Sequence, residues 1–139
     1  MVIRNKAYGC VTRRVGGALQ VLVFDQPQGP NPQLPGGTVE DGEDTAAAVL
    51  REVFEESGLT GLTVVALLGV REKTFPNERH VRHFFHLATA RALPDRWAHT
   101  VTGGEEDAGM VFAYHWLPAE QARRELAADL GMFLDKLGE

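Results

Sequence analysis

Between Asp44 and Gly58 the sequence supports one local structure, a helix of about four turns that buries one side and leaves another open. Asp44 or Thr45 serves as the N-cap, and Gly58 followed by Leu59 gives a Schellman-type stop. With Leu50 at 0° and about 100° per residue, Ala46, Ala47, Val53, Phe54 and Ser57 fall within about 60° of it. These residues form the expected buried stripe. Glu52, Glu55 and Glu56 fall at about 200°, 140° and 240°, on the face expected to lie opposite the core. A solvated acidic surface is the ordinary reading of such a cluster. Two costs count against it. Glu52 and Glu56 are a like-charge i,i+4 pair, worth about 0.2–0.5 kcal/mol against the helix. Glu55 and Glu56 also sit in the last turn, where the helix dipole favours cations. Converging carboxylates are what a hard divalent ion such as Mg²⁺ takes, and this reading is placed first.

The elements around the helix fix the class. Residues 3–13 read as a strand, Gly16-Gly17 as a turn and residues 18–24 as a buried strand, together a hairpin. Pro27 to Pro32 is a breaker-rich loop, and Gly36-Gly37 marks a tight backbone site. Strands are expected at 62–71, 80–90 and 110–117, with 92–109 a long loop. Pro118 is expected to open a C-terminal amphipathic helix with Leu126, Leu130, Phe133 and Leu137 on one face. Strands and helices intermix, so the class is α/β, or α+β by some schemes, and residues 1–139 are read as a single domain.

Composition excludes several alternatives. Apolar residues make up 44% of 139, too many for a disordered chain. Clean apolar runs are short, such as the five residues Val64 to Leu68, far below the roughly 20 residues of a membrane span. The start of the chain carries no apolar secretory signal, so the cytoplasm is the expected compartment. Cys10, the only cysteine, excludes an internal disulfide and is expected to be a small buried residue. The net charge of −5 argues against a stable nucleic-acid partner. That charge is concentrated: residues 40–56 carry seven acidic side chains and one basic. Residues 71–96 carry six basic and three acidic, a balance that helps meet an anionic substrate.

The spacing from Gly37 is five residues to Glu43, seven to Arg51-Glu52-Val53, one to Glu55-Glu56 and one to Gly58-Leu59. This resembles the Nudix box, G-x5-E-x7-R-E-U-x-E-E-x-G-U with U apolar, at every specified position, and Leu34-Pro35-Gly36 before it is similar to the family as well. The resemblance implies an α/β/α sandwich with a mixed sheet. It also implies hydrolysis of a diphosphate linkage in a nucleoside diphosphate linked to another moiety, with Mg²⁺ (or Mn²⁺ as substitute) as cofactor. By that carry-over Glu52, Glu55, Glu56 and the Gly36 carbonyl hold the metal. Arg51 orients these carboxylates by bidentate pairing, and Glu43 makes a supporting contact. The ion neutralises diphosphate oxygens and activates a water for attack at phosphorus. The general base is Glu52 or a downstream loop glutamate, Glu105 or Glu106. A catalytically silent, nucleotide-binding sensor is the alternative. Dimers are common among similar proteins, so a homodimer is an open expectation.

Pro32 stands where many members of the family have tryptophan, and Pro76 lies near the place where certain ADP-ribose-hydrolysing members carry a proline. His80, His83 and His86 are expected to make ordinary polar contacts, because a strand sends His83 to the opposite face. Trp97 and Phe75 are expected to anchor loops rather than stack on a base.

Overall fold

The computed structural model describes residues 1–27, 29–103 and 107–137. The elements are β1 (Val2–Val15), β2 (Ala18–Asp25), β3 (Gly36–Thr38), α1 (Thr45–Ser57), β4 (Thr63–Thr74), β5 (Glu78–Ala88), β6 (Trp97–Thr100), β7 (Val111–Pro118) and α2 (Ala119–Glu125), then a 3₁₀ turn at Leu134–Leu137. The sheet runs β4-β5-β1-β2-β7-β6, with β3 added to β1. It is mixed: β1 and β5 are parallel, while β1–β2, β1–β3, β4–β5, β2–β7 and β6–β7 are antiparallel. The expected hairpin is present, and both residues of its turn, Gly16 (φ 59°) and Gly17 (φ 82°), take the left-handed region that such turns demand.

The period of two along the central strands sends alternate residues to two cores. Val11, Leu22 and Phe24 face α1, where they pack with Ala48, Val49 and Val53. Cys10, Val21 and Val23 face the other way, toward Ala122, Leu126, Leu130 and Leu134. Helices therefore cover both faces, the layered α/β arrangement expected. Cys10 is wholly buried, which pushes its thiol up to about 12 and leaves it a packing residue.

Two elements differ from expectation. The 92–109 stretch contains a strand, β6, which pairs Trp97 with Tyr114 of β7. The C-terminal helix stops at Glu125, and turns carry the chain to the 3₁₀ segment. Leu126, Leu130 and Leu134 are still buried, but Phe133 and Leu137 only partly so. Tertiary ties override the helical pattern here. Ala127 N–H donates to the Pro32 carbonyl (2.8 Å), Ala128 takes φ 51°, and Arg82 grips Asp129.

Candidate active site

Local sequence sets α1 in place. The Asp44 side chain accepts the Ala47 N–H (3.1 Å), and Gly58, at φ 80°, closes the last turn through the Phe54 carbonyl (2.8 Å). The rotation of the helix corrects the wheel. Its buried residues are Ala48, Val49, Glu52, Val53, Glu56 and Ser57, while Phe54 is 48% exposed and Ala47 is exposed. Glu52 and Glu56, at 8% and 6% exposure, thus face inward rather than opposite the core. The room comes from β3. Gly37 has no side chain where it meets the Glu52 carboxylate, and the Gly36 N–H donates to Glu56 Oε1 (2.9 Å). A wheel that counts only apolar side chains has no access to either.

Arg51 organises the outer side of the cluster. Its Nε and Nη2 reach the two oxygens of Glu43, each at 2.8 Å, and Nη2 also donates to the Thr38 carbonyl (3.0 Å). Its Nη1 bonds Glu52 (2.9 Å) and lies 3.3 Å from Glu55. The bidentate partner is therefore Glu43, and Glu52 and Glu55 share the remaining nitrogen. This corrects the expectation that the fork pairs with those carboxylates. Arg51 holds the Glu43 carboxyl down at about 2, aided by the Glu40 backbone N–H. Ties of this kind relieve the Glu52–Glu56 repulsion that seemed a cost of the sequence alone.

Glu52, Glu55 and Glu56 line a cavity of about 400 Å³ together with Gly36, Gly37, Thr102 and Asp107, and Arg4 and Lys6 of β1 line it too. Burial pushes the Glu56 carboxyl up to about 8 against the pull of the Gly36 N–H, with Asp107 and Glu52 adding to the rise. Burial also raises Glu52, opposed by Arg51. Asp107 was passed over in the sequence. The signal was there, in the acidic run that also holds Glu105 and Glu106. Those two lie outside the described residues.

Among the described residues no three His, Cys, Asp or Glu side chains are already gathered around one point. The donor set nevertheless fits a hard divalent cation, since it is all oxygen and crowds like charges into partial burial, a condition that a bound cation reverses. Other residues behave as expected. His80 contacts Glu78 (2.5 Å), His83 contacts Asn5 (3.3 Å) and His86 contacts Thr12 (2.8 Å). Trp97 is an anchor, stacked on Tyr114 with its indole N–H on the Ser57 carbonyl (2.9 Å). Phe75 packs beside His80 at the β4–β5 turn.

Comparison with known proteins agrees with this geometry. A family model described as the NUDIX domain matches residues 3–137. Human diphosphoinositol polyphosphate phosphohydrolase 3-beta is 30% identical over 103 residues, covering 73% of this chain and 61% of that protein. Rat diphosphoinositol polyphosphate phosphohydrolase 2 is 29% identical over the same length and is covered to 55%. The chain thus spans roughly three fifths of the curated relatives it matches. Among solved structures, an Ap4A hydrolase of C. elegans in a binary complex superposes with a TM-score of 0.72 at 20% identity, over 96% of this chain and 93% of that one. A MutT protein of Methanosarcina mazei Go1 gives 0.65 at 21%, over 97% and 92%.

Proposed function

The chain belongs to the NUDIX domain family, and from that premise we propose that it is a Mg²⁺-dependent hydrolase of a diphosphate linkage in a nucleoside diphosphate linked to another moiety. The observation that carries the proposal is the single cavity lined by Glu52, Glu55, Glu56 and Asp107 together with Lys6 and Arg4. Glu52, Glu55, Glu56 and the Gly36 carbonyl would hold the ion, with Mn²⁺ able to replace Mg²⁺. When bound, the ion supplies positive charge to the diphosphate oxygens and acidifies water. Arg51 fixes Glu52 and Glu55 from outside, and Lys6 and Arg4 offset the charge of the incoming phosphates. The small-molecule substrate needs no macromolecular partner. We read residues 1–139 as one domain acting in the cytoplasm, alone or as a homodimer. No helix among the described residues is long and apolar enough to cross a membrane.

The test is a panel of nucleoside triphosphates, nucleotide sugars, ADP-ribose and dinucleoside polyphosphates, extended to diphosphoinositol polyphosphate because a relative is named for it. Cleavage within the phosphate linkage of at least one class is expected with Mg²⁺ or Mn²⁺, and none with chelator. No turnover of any member would instead favour a nucleotide-binding sensor.

The general base is Glu52, or Glu105 or Glu106 on the downstream loop. Removing a general base costs about 10²–10⁴ in rate. A loss of that size in Glu105→Gln or Glu106→Gln assigns the loop. Unchanged rates in both assign Glu52.

A further inference from the structure

The last turn of α1 carries Glu55 and Glu56 but no basic residue, so nothing in the helix itself offsets the negative end of its dipole. Main-chain carbonyls at such an end need donors from elsewhere. Gly58 supplies the one for Phe54, and β6 with the residues after it supplies those for Glu55 and Ser57. The Glu55 carbonyl accepts the Thr102 N–H (3.0 Å) and meets His99 Nε2 (3.2 Å), with the Thr102 hydroxyl 3.4 Å away. A carbonyl can only accept, so the His99 ring carries a proton on Nε2.

The same segment meets the other end of Glu55. A Cβ on Gly103 would lie 2.5 to 2.8 Å from the Glu55 carboxyl atoms, so a glycine is what lets the main chain approach them. The base of this loop is closed in turn. Val101 N–H donates to the Met110 carbonyl (2.8 Å), and Gly109 N–H donates to the Val101 carbonyl (3.0 Å). Asp107 lies between these ties and lines the cavity with Glu56. A cap that served stability alone would need the carbonyl contacts, but not the close approach to the carboxylate.

We infer that His99 and Gly103 are positioning residues, which set where the Glu55 carboxylate stands relative to the wall of Val101, Thr102, Gly103 and Asp107. His99 is not among the described residues that line the cavity, so it acts through Glu55. Its grip on the carbonyl fixes the main chain, and Gly103 limits the path of the side chain. The inference rests on the reading of the cavity as a cation site and adds to it what holds one ligand in place.

The test measures Mg²⁺ binding to the full chain by calorimetry, without substrate, in wild type, His99→Leu and His99→Gln. Melting in chelator confirms that each is folded. Gln keeps a nitrogen donor near the place of Nε2, and Leu does not. His99→Leu is expected to bind Mg²⁺ about tenfold more weakly, and His99→Gln to restore most of the loss. In turnover at saturating Mg²⁺, kcat of His99→Leu should fall about tenfold with KM unchanged.

A second pair of variants approaches Glu55 from its carboxylate. Gly103→Ala and Gly109→Ala both place alanine in the left-handed region, at φ 62° and 88°, but nothing lies within 4 Å of a Cβ at Gly109. Gly103→Ala should therefore lose Mg²⁺ affinity by about tenfold, and Gly109→Ala should keep it. A lower melting temperature with wild-type Mg²⁺ affinity in His99→Leu makes His99 a helix cap only and overturns the inference. An equal loss of affinity in the two glycine variants also overturns it. If the wild type binds neither Mg²⁺ nor Mn²⁺, the cation reading of the cavity fails, and the positioning role falls with it.

Discussion

Glu56→Gln is expected to lower kcat by more than about 100-fold while the protein stays folded. Even the outer partners of metal ligands cost about 10–100-fold when removed, so a carboxylate facing the ion should cost more. The fold tolerates the change for a specific reason. Gln keeps an oxygen to accept the Gly36 N–H, and it resembles the protonated acid that burial favours in the metal-free protein. The same shift fixes a pH dependence. The Glu56 carboxyl rises from its ordinary 4.5 to about 8 on folding, so the folded state binds the proton more tightly than the unfolded one. The stability this contributes is fully present below 4.5 and is lost as pH rises toward 8. Melting of the wild type in chelator should therefore fall across that window, while Glu56→Gln stays flatter. Mg²⁺ should restore the wild type at the alkaline end and leave the variant where it is. Full activity of Glu56→Gln with Mg²⁺ as the only added metal would remove Glu56 from the site.

The second large effect is on stability. At Gly36 an added Cβ would sit 2.7 Å from Tyr8 Cα and 2.8 Å from its ring, and would also press on the Ala7 carbonyl. The obstruction is mostly the backbone of β1, which has no alternative rotamer. Gly36→Ala should cost about 3 kcal/mol, about 10 °C in Tm for a chain of this size, and should draw the Gly36 N–H away from Glu56. Gly42 offers the contrast. Its φ is 77°, but nothing lies within 4 Å of a Cβ there, so Gly42→Ala should show only the left-handed strain, about 1 kcal/mol. Equal melting temperatures for the two variants would contradict the close approach of β3 to β1.

What the sequence makes legible follows the range of the forces involved. The ends of α1 are written locally in Asp44 and Gly58, and both act as read. The box spacing leads to the right helix and to Glu43 as a supporting residue, but not to its bidentate pairing with Arg51, which the resemblance assigned to the other carboxylates. The rotation of that helix is not local. Glu52 and Glu56 are admitted inward by two glycines on a different strand. Likewise β6 is a four-residue strand with no strong pattern, held by the Trp97–Tyr114 stack and the bond to Ser57. The C-terminal helix is interrupted by a salt bridge from Asp129 to Arg82 on β5, a partner that periodicity cannot name. Asp107 was hidden by its more conspicuous neighbours in the same run.

The parallel ladder of β1 with β5 sets an order of events as the chain emerges. Residues 6–8 find β3 at 36–38, and α1 follows at once, so the carboxylate end of the cavity assembles from the first 57 residues. The partners of residues 2–11 on the other side are residues 78–87, and that pairing waits for a much larger loop to close. Asp107 comes later still. A nascent chain therefore carries Arg4, Lys6 and the three glutamates of α1 together, well before β5 arrives to flank β1 and before Asp107. Most of the cavity's lining is thus encoded within the first 57 residues, and the rest of the chain braces it.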